Sequence, residues 1–218
     1  MQARPDLTQE LKTINGSVKK MTEQVKSDIG RAVQSICDRD GALARKVIDQ
    51  GDIVDDMEDA INEACFQFLA TQAPVAGDLR YTVSVMKMIR DLERIGDHCE
   101  DLAKYTIRLE KIEYDEELVD LPRMADMAAQ MVSHATEAFL QKNLRLARKV
   151  WKSDEEVDEL YRRIFEDQMQ QAKQPGKTEL CVSFAFIGTH VESIAHYATN
   201  ICEEAVFVLE GELEMESV

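Results

Sequence analysis

The sequence predicts an all-α protein built as two tandem three-helix bundles, and three observations carry that expectation. Apolar residues recur at three- and four-residue steps along almost the whole chain, the spacing of one helix face. Only four prolines and nine glycines punctuate 218 residues, so the helices must be long. The third observation is a repeat. Leu43-Ala44-Arg45-Lys46-Val47 returns as Leu146-Ala147-Arg148-Lys149-Val150, an offset of 103 (146 minus 43). At that offset Val54-Asp55 meets Val157-Asp158 and Asp40 meets Asn143; after a small deletion Glu93 meets Glu192 at an offset of 99 (192 minus 93). A unit of roughly 100 residues is too long for a solenoid repeat and is the size of a small domain, so the chain reads as one helical unit duplicated and fused. The expected copies span residues 7–111 and 119–212, each with three of six long helices.

The first helix carries Leu11, Ile14, Val18, Met21, Val25, Ile29, Ala32 and Ile36, with Asn15-Gly16 as a turn signal inside it. Asp40 is placed to N-cap the second, whose stripe is Leu43, Val47, Val54, Met57, Ile61, Cys65 and Phe68. Pro74 and Gly77 precede a third, with Leu79, Val83, Met86, Ile89, Leu92, Ile95, Cys99 and Leu102. The acidic stretch 112–118 links the copies. The fourth helix carries Met124, Met127, Met131, Ala135 and Ala138, methionines better read as core than as an exposed groove. Asn143 caps a fifth with Leu144, Trp151, Leu160 and Ile164, and Gln174-Pro175-Gly176 breaks the chain before a sixth that runs to Gly211. Such stripes fit antiparallel bundles packed near the coiled-coil angle.

Composition narrows the function classes. The longest apolar stretch, Leu180 to Gly188, is far short of the roughly 20 residues of a membrane span, and Met1 to Asp6 lacks the apolar core of a signal peptide. A cytoplasmic protein, at most peripheral to the membrane, is expected. Five cysteines without a C-x-x-C pair read as reduced core thiols. A formal charge of −16 argues against nucleic acid, and against a free anion unless a cation accompanies it.

The chemistry concentrates in two acidic stripes. Glu93, Asp97 and Asp101 are four apart and stack along one helix face, where like charges repel unless the face is wet or holds a cation. The second helix offers Asp52, Asp55, Asp56, Asp59 and Glu63. If the stripes face each other as two walls, their carboxylates converge on a hard-cation site, with Asp55, Asp59, Glu93 and Asp97 as ligands. The alternative is two solvated faces. In the second copy Glu192 stands for Glu93, His196 for Asp97, Asn200 for Asp101 and Arg162 for Asp59, while Asp158 keeps Asp55. A site at Glu192 and His196 is therefore expected to bind more weakly, or to prefer a borderline ion such as zinc or iron(II). Glu-x-x-His, H-E-x-x-H and G-x-S-x-G are all missing, and Gly176-Lys177-Thr178 lacks the first glycine and preceding strand of a P-loop. Catalysis is not expected. One basic stripe, Arg145, Arg148, Lys149 and Lys152, shares a face of the fifth helix and is a candidate partner-docking surface.

Three stretches resemble the PhoU family of phosphate-transport accessory and regulatory proteins. Pro74-Val75-Ala76-Gly77-Asp78-Leu79-Arg80 looks like the family's P-x-A-x-D-L-R segment, and Leu92-Glu93-Arg94-Ile95-Gly96-Asp97-His98 matches its L-E-R-I-G-D motif. Ala198-Thr199-Asn200-Ile201-Cys202-Glu203 resembles its A-T-N-I-A-E ending. The resemblance spans about residues 7 to 211. It implies a homodimer, and metal ions (iron, zinc or another divalent cation) held by an E(D)-x-x-x-D motif that falls on Glu93 and Asp97, and survives in the second copy only as Glu192 and His196. It also implies a non-catalytic adaptor that couples a phosphate ABC transporter to a sensor histidine kinase and represses the phosphate-starvation response. A regulator of a sodium–phosphate carrier and a metal-carboxylate hydrolase are the other readings.

Overall fold

The computed structural model describes residues 5–112 and 118–211. Residues 113–117 of the expected linker, position 212 of the second copy and the first four residues of the chain lie outside the described residues. Every regular element described is an α-helix: α1 (Pro5–Cys37), α2 (Gly41–Asp49), α3 (Asp52–Gln72), α4 (Gly77–Leu109), α5 (Asp120–Gln141), α6 (Leu144–Gln171) and α7 (Thr178–Glu210). Both expected N-caps form: Asp40 Oδ1 accepts from the backbone N–H of Ala42 and Leu43 at 2.9 Å, and Asn143 Oδ1 from Leu146 at 3.1 Å. Asn15-Gly16 does not interrupt α1, because Asn15 spends its side chain on the Tyr81 hydroxyl, which donates to Oδ1 at 2.7 Å.

Two details depart from the sequence reading. The second expected helix is split into α2 and α3 at Gln50-Gly51, where the bonding tightens to 3₁₀ steps (Gln50 N–H to Val47 C=O, Gly51 to Ile48, Ile53 to Gln50). A Cβ at Gly51 would run into the Glu100 carboxylate, so glycine admits α4 at this joint. The other departure is the start of α4. Leu79 and Val83, placed in the stripe, are 44% and 38% exposed, and Tyr81, Val85 and Met88 are buried instead. Here Tyr81 points inward, donating to Asn15 of α1 and stacking on Phe139 of α5 with ring centroids 5.2 Å apart. The methionines resolve toward the core, Met124 and Met131 buried and Met127 half-buried. Cys65, Cys99, Cys181 and Cys202 are buried as expected; Cys37 is exposed, because it closes α1 just before the chain turns at Arg39.

α1 packs with α2, α3 and α4, and α5 with α6 and α7; α1 on α5 and α4 on α7 join the two sets into one continuous core. Hydroxyl pairs stitch α1 to its neighbours, Thr22 to Thr136 at 3.1 Å and Ser35 to Thr106 at 2.8 Å, which satisfies polar groups that burial would otherwise penalise. α4 and α7 cross antiparallel: Arg80 reaches the Phe207 carbonyl, Lys87 reaches Glu204, Arg94 donates to the Tyr197 hydroxyl and Arg108 pairs with Glu179. These are the equivalent third helices of the two copies. Their seam therefore has an approximate two-fold character, in which each spot has a counterpart with the helices exchanged. No helix among the described residues is long and apolar enough to cross a membrane.

Candidate metal centres

Close helix approach builds the first centre. Gly96 faces α3, and a Cβ there would lie 3.3 Å from Val54 Cγ1, so its absence lets the acidic faces of α3 and α4 meet. The charge of Asp97 then registers on Asp55 across the contact. Burial, followed by the charges of Asp97, Asp52, Asp56 and Asp59, raises the Asp55 carboxyl above the ordinary range. Glu93 is raised by burial and then by Asp97, Glu58 and Asp55, with Arg90 opposing. Its Oε2 is buried without a hydrogen-bond partner. An acceptor-only oxygen in that position is costly unless a cation meets it. The donor set thus fits a hard or borderline divalent ion.

The structure distributes the sequence candidates unevenly. Glu93 is half-buried, and the charges of the exposed Asp97 and Asp55 both register on it. Asp59 is exposed and its charge registers on Asp55, while Glu58 joins Asp55 as an α3 carboxylate whose charge registers on Glu93. Asp101, expected to extend the row, lies instead with His98 and His190. Glu100, which sequence reasoning passed over, joins the centre: burial raises its carboxyl, Lys104 lowers it, and Asp97 and Asp55 raise it again.

The second centre lies between α6 and α7. Gly188 is the close-approach glycine there, its notional Cβ 3.2 Å from Tyr161. Glu192 is raised by burial and Asp158, with His196 and a hydrogen bond from Ser193 opposing. Asp154, also missed in the sequence, is pushed up to about 6 by burial and then Asp158, with His196 lowering and Glu192 raising it. The signal for it was present: Asp154 stands at the offset of 103 from Gly51. Where the first copy has Gly51 and takes a carboxylate from Glu100 of α4, the second has Thr199 and takes one from Asp154 of α6. Arg162 turns to an ion pair with Glu159 one turn away on its own helix.

Arg145, Arg148, Lys149 and Lys152 are all exposed on α6, and Arg148 pairs with Glu210 at 3.4 Å. On the far side of the α4–α7 seam, Glu204 is buried, accepting from Ser84 at 2.6 Å and Lys87 at 2.9 Å. Beside it Asp91 is pushed up to about 6, chiefly by burial; Arg94 and a hydrogen bond from Asn200 oppose the rise.

Known proteins share this fold. The chain matches the PhoU domain family twice, over residues 18–106 and 121–205. It is 32% identical over 208 residues to the phosphate-specific transport system accessory protein PhoU homolog of Aquifex aeolicus, covering 95% of this chain and 94% of that one. It is 30% identical over 205 residues to the corresponding homolog 1 of Thermotoga maritima, covering 93% and 88%. Among solved structures, PhoU from Pseudomonas aeruginosa superposes with a TM-score of 0.88 at 28% identity, over 94% of this chain and 99% of that one. The phosphate transport system regulatory protein PhoU from Streptococcus pneumoniae superposes at 0.89 and 26% identity, over 96% and 100%.

Proposed function

The chain belongs to the PhoU family, and on that premise we propose that it is an accessory regulator of phosphate uptake and signalling. It couples a phosphate ABC transporter to a sensor histidine kinase and holds the phosphate-starvation response off while phosphate is ample. The observation that carries this reading is the end-to-end match, both copies included, to proteins named as accessory components of phosphate-specific transport. In this reading the protein is a cytoplasmic homodimer that meets the membrane only through its partners, and it works by docking rather than by catalysis.

Glu93, Asp97, Asp55 and Glu100 would hold divalent cations in the first copy, and Glu192, Asp158, Asp154 and His196 in the second. Such ions would neutralise clustered carboxylates and offer coordination positions to a phosphate or carboxylate oxygen, which a chain of charge −16 would otherwise repel. The chain's own contribution is to hold α3 against α4, and α6 against α7, closely enough that the carboxylates register one another's charge. The exposed basic stripe of α6 supplies a surface for an acidic partner. A phosphate-starvation reporter in the native host tests the proposal. Deletion of this gene should switch the reporter on in ample phosphate, and the wild-type copy should switch it off; a reporter silent after deletion would contradict the regulatory role.

A further inference from the structure

The α4–α7 seam holds a group of side chains that the carboxylate centres do not use. His98 and Asp101 of α4 meet His190 of α7, with one potential ligand atom from each lying within 4.8 Å of the other two. Among the described residues this is the group of three or more histidine, cysteine and acidic side chains whose ligand atoms converge that closely. The two Nδ1 atoms stand 2.9 Å apart. All three residues are half-buried, and Tyr197 and Tyr105 wall the spot, their rings 5.6 Å from His98 and 5.8 Å from His190.

The duplication supplies an internal comparison. The offset of 99 that relates Glu93 to Glu192 carries His98 onto Tyr197, Asp101 onto Asn200 and Asp91 onto His190. The counterpart spot across the seam is therefore Tyr197, Asn200 and Asp91. There the groups satisfy one another with ordinary bonds: Arg94 donates to the Tyr197 hydroxyl, and Asn200 hydrogen-bonds Asp91. The same backbone frame thus carries a closed hydrogen-bonded cluster at one spot. At the other, all three positions carry metal-ligating side chains.

We propose that His98, Asp101 and His190 form a third metal site, for a borderline divalent transition-metal ion such as zinc, clamping the first copy to the second. Two imidazoles and one carboxylate match the ligand softness of such an ion better than the oxygen-only donors of the first centre. With metal–nitrogen bonds of about 2.0–2.1 Å, nitrogens at this spacing subtend roughly 90° at the ion; a tetrahedral site asks for about half an ångström more, within reach of side-chain rotation. Lys104 also bonds Asp101, at 2.9 Å, and a carboxylate has a second oxygen to give to a metal. Three protein ligands leave a coordination position open. The rival for this spot is a plain hydrogen bond, one imidazole donating to the other.

The full chain, stripped with chelator and titrated with Co²⁺ alone and then with competing Zn²⁺, separates the two. In both the wild type and Glu93→Gln, a visible-band spectrum of nitrogen-ligated Co²⁺ should appear and be displaced by added Zn²⁺. In His190→Gln that component should vanish or require at least about 100-fold more Co²⁺, while His196→Gln retains it. Far-UV circular dichroism melts of each variant establish that it is folded, and His98→Asn gives a second ligand deletion. In the His196→Gln background, where the second centre offers no imidazole nitrogen, a spectrum that survives both His190→Gln and His98→Asn in folded protein overturns the proposal, as does the lack of any such component in His196→Gln itself. Loss in Glu93→Gln but not in His190→Gln would assign the band to the carboxylate centre and overturn it equally.

Discussion

Replacing Glu93 by Gln should stabilise the protein without metal and destabilise it with metal. Without metal, Glu93 carries a buried oxygen that nothing bonds, and its carboxyl is raised by burial and by Asp97, Glu58 and Asp55. A like-charge neighbour at helix spacing costs roughly 0.2–0.5 kcal/mol, so relief from Asp97 contributes about that much, and relief from Glu58 and Asp55 across the α3–α4 contact adds to it. With metal the balance reverses. An ion bound only by the folded state stabilises it by about 2.7 kcal/mol at a hundredfold excess over Kd. A variant short of one carboxylate ligand forfeits most of that, leaving it about 1–2 kcal/mol below the wild type. For a chain of this size each kcal/mol moves Tm by about 2–4 °C. Thermal melts by circular dichroism, in chelator and then in excess Mn²⁺ or Zn²⁺, read both arms. A shift of the same sign in both conditions would refute the reasoning, because Glu93 would then be an ordinary surface or packing residue.

Three further outcomes follow from the same structure. Asp91, pushed up to about 6 by burial, sits above its ordinary 3.8, so its ionisation opposes folding. Its contribution is full below the ordinary value and is lost as pH rises through about 6; Asp91→Asn should flatten metal-free stability between pH 4 and 7 by on the order of 1 kcal/mol after solvent screening. Phe139 is fully buried against Tyr81, so Phe139→Ala should cost about 3–5 kcal/mol in urea unfolding. Asp40→Ala removes a cap that bonds two backbone N–H groups and should cost about 1 kcal/mol by the same measurement, with an unchanged m-value.

What the sequence could convey depended on how local the cause was. Both N-caps and most of the apolar stripes rest on short-range chemistry, and Asp40, Asn143, Val18 to Ile36 and Ile89 to Leu102 were legible. The start of α4 was not, because α4 packs there on α1 and α7, with Tyr81 bonded to Asn15 and stacked on Phe139, partners that periodicity does not name. The joint at Gln50-Gly51 depends on how closely Glu100 approaches, a contact between distant segments. In the centres, Glu93 and Asp97 stood out because they share one helix face. Glu100, Asp154 and His190 did not, because each becomes a candidate only once a second helix is laid against its own. The repeat alone could have flagged two of them, since Gly51 becomes Asp154 and Asp91 becomes His190 between copies.

Metal content is the most direct test of cation-holding acidic faces on a duplicated frame. Purified wild type, Asp97→Ala and His196→Ala should be compared by inductively coupled plasma mass spectrometry after equilibration with limiting iron or zinc. Asp97→Ala should lose clearly more metal than His196→Ala, because the first centre has the larger set of carboxylates. Equal losses from the two variants would contradict the ranking of the copies, and no loss from Asp97→Ala would contradict the first centre itself.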